Sequence, residues 1–404
     1  MHKIERLLQT LAPKGVEFRK LGEVCEILDN RRIPIAKNKR NPGIYPYYGA
    51  NGIQDYIDSY IFDGDFVLVG EDGSVINKDN TPVVNWASGK IWVNNHAHVL
   101  QTKNELKLKF LYFYLQTIDV SYCVAGTPPK INQENLKKIT IPIPPLEIQQ
   151  EIVKILDAFT ELNTELNTEL KARKKQYEYY QNMLLDFNGI NQNHKDAKMS
   201  AKTYPKRLQT LLQTLAPKGV EFRKLGEVCD FQKGKSITKK AVTFGKVPVI
   251  SGGRQPAYYH NEANRSGETI AISSSGVYAG YVSYWDIPVF LADSFSVSPK
   301  QKTLMPKYLF HYLTTQQDVI HATKSTGGIP HVYSKDLQNF LIPIPPLEVQ
   351  QEIVKILDQF SILTTDLLAG IPAEIEARKK QYEYYREKLL TFKPLTPHKE
   401  VKKC

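Results

Sequence analysis

Two stretches of the chain place apolar side chains at alternating spacings of four and three residues. The first stretch carries them at Ile148, Ile152, Ile155, Phe159, Leu162 and Leu166. The second carries them at Val349, Ile353, Ile356, Phe360, Leu363 and Leu367. This spacing is the seam of a coiled coil, so it predicts two long helices that pack on each other. A globular domain separates them along the chain, and two-fold pseudo-symmetry of the two halves would make them antiparallel.

A proline-rich, apolar segment precedes each predicted helix. These segments are residues 139–145 and residues 340–346. We expect both to be extended, because proline has no N–H to donate and disfavours a helical residue before it. Pro145 and Pro346 suit the first turn of a helix, so the helices are predicted to start there.

The chain between these features predicts two inserts of mixed α/β structure. Short β-rich runs bounded by turn residues are residues 67–69, 83–86 and 90–93 in the first insert, and 269–273, 277–284 and 288–290 in the second. Residues 106–117 and 305–315 carry a helical period with aromatic side chains, which we expect to be core residues.

The chain also contains an internal repeat. The matching segments are residues 7–25 with 211–229, 141–159 with 342–360, and 172–180 with 377–385. The first and last of these pairs are identical, and the middle pair differs at two positions. By contrast, residues 26–140 and 230–341 diverge. A shared frame around different inserts indicates two recognition modules for two targets, whereas duplication followed by drift is the simpler alternative.

Two features of the predicted helices concern their length. Residues 160–170 read TELNTELNTEL, a tetrapeptide repeat inside the first helix. Either it is replication slippage without consequence, or it is a spacer in which each tetrad adds about 6 Å of helix. In the second helix, Gly370 and Pro372 are predicted to kink or break the chain. The polar residues 188–203 read as a linker.

Composition excludes several classes of protein. The chain has 404 residues and a formal charge of +11, which is compatible with nucleic-acid binding. It has no apolar run long enough for a membrane helix and no signal-peptide pattern at its start. Four scattered cysteines predict reduced thiols and a cytoplasmic protein.

Two short patterns in the sequence resemble enzyme motifs but are incomplete. The sequence Gly234-Lys235-Ser236 resembles the end of a phosphate-binding loop, but Cys229 stands where that motif needs glycine. His96 and His98 are two apart in a predicted strand and would face one side, but the sequence offers no third metal ligand beside them. We therefore predict a chain that binds rather than catalyses, with no catalytic residue and no metal.

The repeated frame resembles the specificity subunits of type I restriction–modification systems. The resemblance rests on KLGEVC ahead of each insert and on IPIPPLE-[IV]-QQEIVKILD after it, and it covers nearly the whole chain. It implies an α+β fold in which two α/β target-recognition domains are joined by two long helices, packed as an antiparallel coiled coil with internal pseudo-two-fold symmetry. It also implies that the chain itself carries no cofactor. It implies as partners double-stranded DNA, two methyltransferase subunits carrying S-adenosylmethionine, and restriction subunits that use ATP and Mg²⁺.

The same reading divides the chain into six parts. The predicted boundaries are 1–145 for the first recognition domain, 146–187 for the first spacer helix, 188–206 for the linker, 207–346 for the second recognition domain, 347–392 for the second spacer helix and 393–404 for the tail. Each recognition domain is expected to read one half of a bipartite, gapped DNA target.

Side chains for DNA contact are predicted from cationic and amide-bearing loops, because phosphates attract Lys and Arg and base edges pair with Arg, Lys, Asn, Gln or His. In the first insert we predict Arg31, Arg32, Lys37, Lys39, Arg40, Asn51, Gln54 and Lys130. In the second we predict Lys233, Lys235, Lys239, Lys240, Arg254, Gln255 and His331. Solvated charges and ordinary turns are the alternative explanation. Tyr179 and Tyr384 lie off the predicted seam in identical segments, so they are predicted to bind the methyltransferase subunits.

Two other functions stay open at this point. The tandem modules could bind proteins, with the helices serving only for dimerisation. Alternatively, Glu71, Asp72 and Asp65 could form a metal-dependent nuclease site. The first alternative predicts no salt-dependent DNA binding, and the second predicts turnover by the isolated chain.

Overall fold

The computed structural model describes residues 2–73, 75–127, 129–187, 204–300, 302–325, 328–365 and 370–395. The chain forms two compact units. Unit 1 comprises Met1–Asn167 and Glu374–Cys404, and unit 2 comprises Thr168–Ala373. The predicted linker at 188–203 and the predicted seam residue Leu367 lie outside the described residues. No described helix is long and apolar enough to cross a membrane.

Unit 1 holds the first insert and the frame around it. Its elements are α1 (His2–Leu11), β1 (Glu17–Lys20), α2 (Leu21–Val24), β2 (Cys25–Ile27), β3 (Pro42–Gly49), β4 (Gly52–Ile57), β5 (Phe62–Gly70), β6 (Val84–Val93), β7 (Ala97–Thr102), α3 (Leu108–Leu115), α4 (Gln133–Lys138), β8 (Thr140–Ile143) and the first part of α5 (Leu146–Leu185). Single 3-10 turns occur at Asp29–Arg31, Lys37–Lys39 and Ser121–Cys123.

Unit 2 repeats this order. Its elements are α6 (Lys206–Leu215), β9 (Glu221–Lys224), α7 (Leu225–Val228), β10 (Cys229–Lys233), β11 (Phe244–Ile250), β12 (Tyr258–His260), β13 (Thr269–Ser273), β14 (Val282–Trp285), β15 (Phe290–Leu291), β16 (Ser294–Pro299), α8 (Pro306–Thr315), α9 (Gln317–Ala322), α10 (Ser334–Leu337), β17 (Leu341–Ile344) and α11 (Leu347–Thr365). A 3-10 turn occurs at Lys239–Ala241, and α12 (Ile371–Leu390) begins in unit 2 and lies mostly in unit 1.

The two inserts share a strand order but differ at one strand. The first insert forms a six-stranded sheet in the order β2-β7-β5-β6-β3-β4, in which β6 pairs antiparallel with β5 and parallel with β3. In the second insert the same path is divided between β14, which pairs with β13, and β15, which pairs parallel with β11. Pro288 lies at this break, and it has no N–H to offer a strand ladder. The second insert therefore has two sheets.

Several predicted strands need correction. Residues 83–86 and 90–93 are predicted to be separate strands, but a single strand, β6, runs from Val84 to Val93 and passes through Gly89 at φ +78°. Residues 277–284 were expected to be one strand, but residues 277–280 form a turn and β14 starts at Val282. The strand at 269–273 is confirmed as β13. The aromatic helices are confirmed as α3 and α8, where Phe110 and Tyr308 are fully buried.

A buried glutamine explains the Pro-Pro-Leu-Glu-x-Gln motif of the frame. The side chain of Gln149 accepts a hydrogen bond from the Lys107 backbone N–H at 2.8 Å and donates to the carbonyls of Glu105 at 2.9 Å and Pro144 at 2.7 Å. Gln350 repeats this in unit 2 with the backbone of residues 305, 303 and 345. The motif therefore ties the first turn of each long helix to the insert through main-chain atoms.

In each unit, two helical segments pack together with stacked aromatic rings. In unit 1 the Phe159 ring lies 5.6 Å from that of Tyr385 and 6.3 Å from that of Tyr382. The end of α12 is held beside β1, because the Val16 N–H donates to the Lys393 carbonyl at 2.8 Å. Since β1 pairs with β8, which immediately precedes α5, the two segments run antiparallel within unit 1. In unit 2, Tyr180 stacks on Phe360 at 5.1 Å.

The predicted seams are confirmed in their first turns and at Phe159 and Phe360, which stack on tyrosines of the neighbouring helical segment. Ile148, Ile152 and their counterparts in unit 2 are fully buried, but so are Leu156 and Leu357, which the seam prediction left out. These residues belong to clusters that combine the core of each insert with the neighbouring helical segment, which contributes Leu389 and Leu390 in unit 1 and Leu184 and Leu185 in unit 2. Leu363 is 45% exposed, so its predicted seam position is wrong.

The lengths of the helices follow the tetrapeptide and glycine signals. α5 runs without interruption through residues 160–170, where the hydroxyl of Thr164 donates to the Thr160 carbonyl at 2.8 Å. The predicted break at Gly370 is confirmed, because Gly370 lies in a bend directly before α12, while residues 366–369 lie outside the described part of the chain.

Candidate nucleic-acid interface

Each insert presents two exposed lysines on a 3-10 turn just ahead of a β-hairpin. Lys37 and Lys39 precede the β3–β4 hairpin, and Lys239 and Lys240 precede β11 and β12. The chain enters each hairpin through a glycine, and a larger residue there would require the neighbouring backbone to shift. A Cβ on Gly43 would lie 2.3 Å from the Ile57 carbonyl oxygen, and one on Gly245 would lie 2.2 Å from that of His260. The two inserts therefore present cations at equivalent places.

These hairpins also expose apolar side chains, which the sequence analysis missed. Phe244 is 92% exposed at the start of β11, and Tyr259 is exposed on β12. In the first insert Ile44 and Tyr56 are exposed on β3 and β4. In the sequence, only the alternation of apolar and polar residues along these strands bears on exposure, and it does not show which face of the hairpin is covered.

Two predicted arginines of the first insert pack on aromatic rings. The Arg40 guanidinium lies 4.1 Å from the Tyr47 ring centroid, and its Nη1 lies 3.2 Å from the Asp55 carboxylate. Arg31 lies 4.7 Å from the Phe62 ring centroid. Both cations make intramolecular contacts, and DNA contact by either stays a prediction.

Arg32 and Lys130 belong to an ionic network within the insert, and contact of either with DNA stays a prediction. The Arg32 side chain is only 11% exposed, with its Nη1 2.5 Å from the Glu71 carboxylate and 2.8 Å from the Ala97 carbonyl. Lys130 Nζ lies 2.9 Å from the other Glu71 oxygen. Asp29 completes the network, 3.4 Å from Arg32 and 2.6 Å from Nδ1 of the fully buried His98. Only Asp29 and Arg32 are neighbours in sequence, and the other members are too distant along the chain for a local pattern to reveal the network.

The network keeps its carboxylates ionised. Burial raises the pKa of Asp29, but the hydrogen bond from His98 and the charges of His98 and Arg32 outweigh it, so the pKa lies below its ordinary value. Burial likewise raises the pKa of Glu71, and hydrogen bonds from Arg32 and Lys130 more than reverse this. Folding therefore favours the ionised form of both carboxylates.

The predicted geometry of His96 and His98 is wrong. His98 is buried in β7 and its Nε2 lies 2.8 Å from the Ile131 carbonyl, whereas His96 precedes the strand and its Nδ1 lies 2.5 Å from Asp72. Asp29, Glu71 and His98 do bring ligand atoms within 4.8 Å of one another. Arg32 and Lys130 already neutralise those carboxylates, so this donor set suits an internal ion network better than a metal.

The carboxylates of the nuclease alternative are each engaged with a different partner. Glu71 binds Arg32 and Lys130, Asp72 binds His96, and Asp65 accepts a hydrogen bond from the Ser88 hydroxyl at 2.5 Å. The thiols are equally unsuited to catalysis, because burial raises the pKa of both Cys25 and Cys229 to about 12. These described groups give no support to an enzyme site.

The remaining predicted residues of the first insert lie at the tip of the hairpin. Asn51 is exposed in the turn between β3 and β4. The Gln54 side chain lies over Gly49, and its Oε1 accepts from the Asn94 amide at 3.3 Å. Asn51 is thus the better placed of the two for a base edge.

In the second insert, the structure brings two distant predicted residues together. Lys233 and His331 line one cleft, along with Tyr333 and Lys335, which the sequence analysis did not select. The other predicted residues of this insert, Lys235, Arg254 and Gln255, are exposed, and the Arg254 guanidinium lies 5.0 Å from the Tyr278 ring centroid.

The two tyrosines predicted to bind partners are exposed at matching places. Tyr179 is 64% exposed and Tyr384 is 59% exposed. Each ring meets the next tyrosine edge-on, at 5.6 Å for Tyr180 and 5.3 Å for Tyr385. Those neighbours stack inward on Phe360 and Phe159, so each exposed ring packs at one edge on a tyrosine of the helix interface.

Comparisons with known proteins agree with this architecture. The sequence model described as "Type I restriction modification DNA specificity domain" matches twice, at residues 13–175 and 217–377. A putative type I restriction enzyme specificity subunit from Haemophilus influenzae is 37% identical over 96% of this chain and 98% of its own length. The specificity subunit of the Escherichia coli enzyme EcoR124I/EcoR124II is 30% identical over 98% of both.

The fold has a counterpart among solved structures. The crystal structure of the S subunit of a type I restriction–modification system from M. genitalium superposes with a TM-score of 0.64, covering 95% of this chain and 97% of that one at 20% identity. The chain therefore belongs to the type I restriction–modification specificity subunits. It carries two tandem target-recognition domains and provides DNA sequence specificity.

Proposed function

We propose that each insert reads one half of a bipartite duplex target, residues 26–140 one half-site and residues 230–341 the other. The observation that carries this proposal is the repeated frame. Both inserts are held by the same glutamine contacts and present lysines at equivalent 3-10 turns, yet their remaining surface side chains differ. Two different readers on one frame suit two different half-sites at a defined separation.

We further propose that the chemistry belongs to partner subunits. Methyltransferase subunits carrying S-adenosylmethionine would methylate adenine, and restriction subunits using ATP and Mg²⁺ would cleave, while this chain acts as their non-catalytic reader in the cytoplasm. The support is that the relatives are named as specificity subunits of type I restriction enzymes. The paired carboxylates and buried thiols of the described residues are consistent with this division.

Residues 160–170 are proposed as the spacer that sets the gap between half-sites. Their support is that α5 is one continuous helix of 40 residues, so a tetrad inserted there adds about 6 Å to a rod. The exposed Tyr179 and Tyr384 are proposed as equivalent contacts for two methyltransferase subunits, because identical surfaces offer two equivalent sites.

An exchange of inserts tests the central proposal. Residues 26–140 are replaced by the corresponding insert of another specificity subunit, and the chain is expressed with its methyltransferase subunit. Methylome sequencing should show one half-site changed and the other retained. The reciprocal exchange of residues 230–341 is the matched control and should change the other half. If either exchange altered both half-sites, the two inserts would not be independent readers.

A further inference from the structure

A cleft of about 420 Å³ lies at one edge of the second insert. Lys233, at the end of β10, lines one part of it, and the segment that begins at His331 lines another. Ser275, beyond the end of β13, bridges to His331 through the backbone, which fixes this segment against the sheet. The cleft is therefore built on strands rather than on one loop.

Three side chains of the 331–335 segment form an ordered wall of the cleft. The rings of His331 and Tyr333 stack with centroids 6.0 Å apart and planes 14° apart. Lys335 Nζ lies 5.5 Å from the Tyr333 ring centroid. The Nδ1 atom of His331 donates to the Ile329 carbonyl at 2.7 Å, which leaves Nε2 as the ring atom for a ligand. The wall therefore offers an aromatic face flanked by polar and cationic groups.

The charges of the cleft favour an anion with several oxygen atoms. Lys233 and Lys335 contribute two positive charges, and Asp293 contributes one negative charge, which accepts a hydrogen bond from Ser251 at 3.3 Å. Serine hydroxyls at positions 236, 275 and 334 add hydrogen-bond donors to the lining. Lysine ammonium and hydroxyl groups are the donors that commonly bind DNA phosphates.

The first insert has different chemistry at the same place. The Ile131 N–H donates to the Glu71 carbonyl there, as the Val332 N–H donates to the Ser274 carbonyl in the second insert, so the paired segments correspond. Glu71 thus takes the position of Ser274, and it is neutralised by Arg32 and Lys130. At this edge, the cations of the first insert form ion pairs with Glu71, whereas those of the second insert line an open cleft.

We propose that the cleft of the second insert binds one phosphodiester group of the DNA, with Lys233 and Lys335 as its cationic contacts and the Tyr333 ring against the adjoining sugar. This inference rests on the proposed function, because it locates the backbone of the second half-site on this insert. A phosphate contact fixes the register of the protein on the duplex but carries no sequence information.

The test uses the full chain assembled with its methyltransferase subunits. The double variant Lys233→Ala with Lys335→Ala is compared with Lys218→Ala with Lys302→Ala, which removes the same charge from exposed positions outside the cleft. Binding is measured over a series of KCl concentrations, on a labelled duplex that contains the sequence identified in the methylome as the target. For the cleft variant, the slope of log K against log[salt] should become shallower by about one. Affinity for target and non-target duplexes should fall by the same factor.

Each outcome bears on a separate claim. A salt slope equal to that of the Lys218/Lys302 control would overturn the cleft assignment. Loss of sequence specificity at the second half-site in the methylome would also overturn it, because that result would indicate contact with a base. If the alanine variant does not assemble, Lys233→Gln with Lys335→Gln preserves side-chain bulk and carries the same expectation. Failure of the unaltered complex to bind its methylated target specifically would instead refute the proposed function.

Discussion

The ionic network of the first insert allows a quantitative prediction for Glu71→Ala. The substitution removes the acceptor of two charged donors, Arg32 at 2.5 Å and Lys130 at 2.9 Å. Breaking a buried ion pair by deleting one partner typically costs about 3–5 kcal/mol, since the other charge is left uncompensated. Arg32 keeps Asp29 and the Ala97 carbonyl, and Lys130 is half-exposed, so both lose less than a fully buried charge would. We therefore expect a loss of about 2–4 kcal/mol in the stability of this insert.

Native-state hydrogen exchange of the full chain measures this loss where it occurs. The amides of β5 and of residues 129–136 should exchange faster, because the Glu71 backbone pairs with Ile131 across these segments. The matched control is Ser274→Ala, at the corresponding position of the second insert, where the backbone bond to Val332 is kept and no charge is lost. Its expected cost is below about 1 kcal/mol.

A Glu71→Ala variant whose β5 amides exchange no faster than those of the Ser274→Ala variant would contradict this prediction. That result would mean that water stabilises the Arg32 guanidinium to the same extent as the Glu71 carboxylate does. Glu71→Gln provides an intermediate, because an amide oxygen still accepts one hydrogen bond but carries no charge. Its cost should lie between those of the alanine variant and the unaltered chain.

Three further predictions concern acid, the helix and the partner surface. Folding lowers the pKa values of Asp29 and Glu71, so both ionised carboxylates stabilise the folded chain. This contribution to stability is complete above the pKa values of the unfolded chain, at about pH 4, and is lost as the pH falls through the pKa values of the folded chain. Inserting one Thr-Glu-Leu-Asn unit within residues 160–170 should lengthen the methylated gap by one or two base pairs, since about 6 Å of helix is added per tetrad. Tyr179→Ala with Tyr384→Ala should weaken assembly with methyltransferase subunits without unfolding the chain, because both rings are exposed.

The controls for these predictions use the same chain. In acid titration followed by hydrogen exchange, Glu71→Gln should flatten the pH dependence of the first insert, and an unchanged profile would contradict the assigned cause. Methylome sequencing of the tetrad variant should leave both half-sites intact, and full activity with an unchanged gap would favour slippage. Assembly with the methyltransferase subunits is measured by analytical ultracentrifugation, and Tyr179→Phe with Tyr384→Phe is the control because it keeps both rings. If the double alanine variant assembled as well as the unaltered chain, the partner would bind elsewhere.

The frame could be predicted from sequence because its signals are local. Apolar spacing and proline pairs fix where α5 and α11 begin, and Gly370 marks the interruption before α12. The inserts were harder, because strand pairing and ion pairing join residues that are distant in sequence. No local pattern distinguishes Arg32, which is neutralised within the fold, from the neighbouring lysines of the 3-10 turn, which are exposed. Burial, which only the folded chain defines, separates them.

The way in which the frame holds each insert explains how two readers can differ so widely on nearly identical supports. Gln149 and Gln350 bind main-chain N–H and carbonyl groups of the insert, and none of these bonds depends on the side chain of the residue that offers it. The backbone of the frame does the same, since the Leu21 N–H donates to the Ile139 carbonyl as the Leu225 N–H does to the Phe340 carbonyl. Every peptide unit other than proline offers these groups. An insert can therefore change its surface chemistry, from the paired charges around Glu71 to the open cleft around Ser274, while the frame keeps the same contacts.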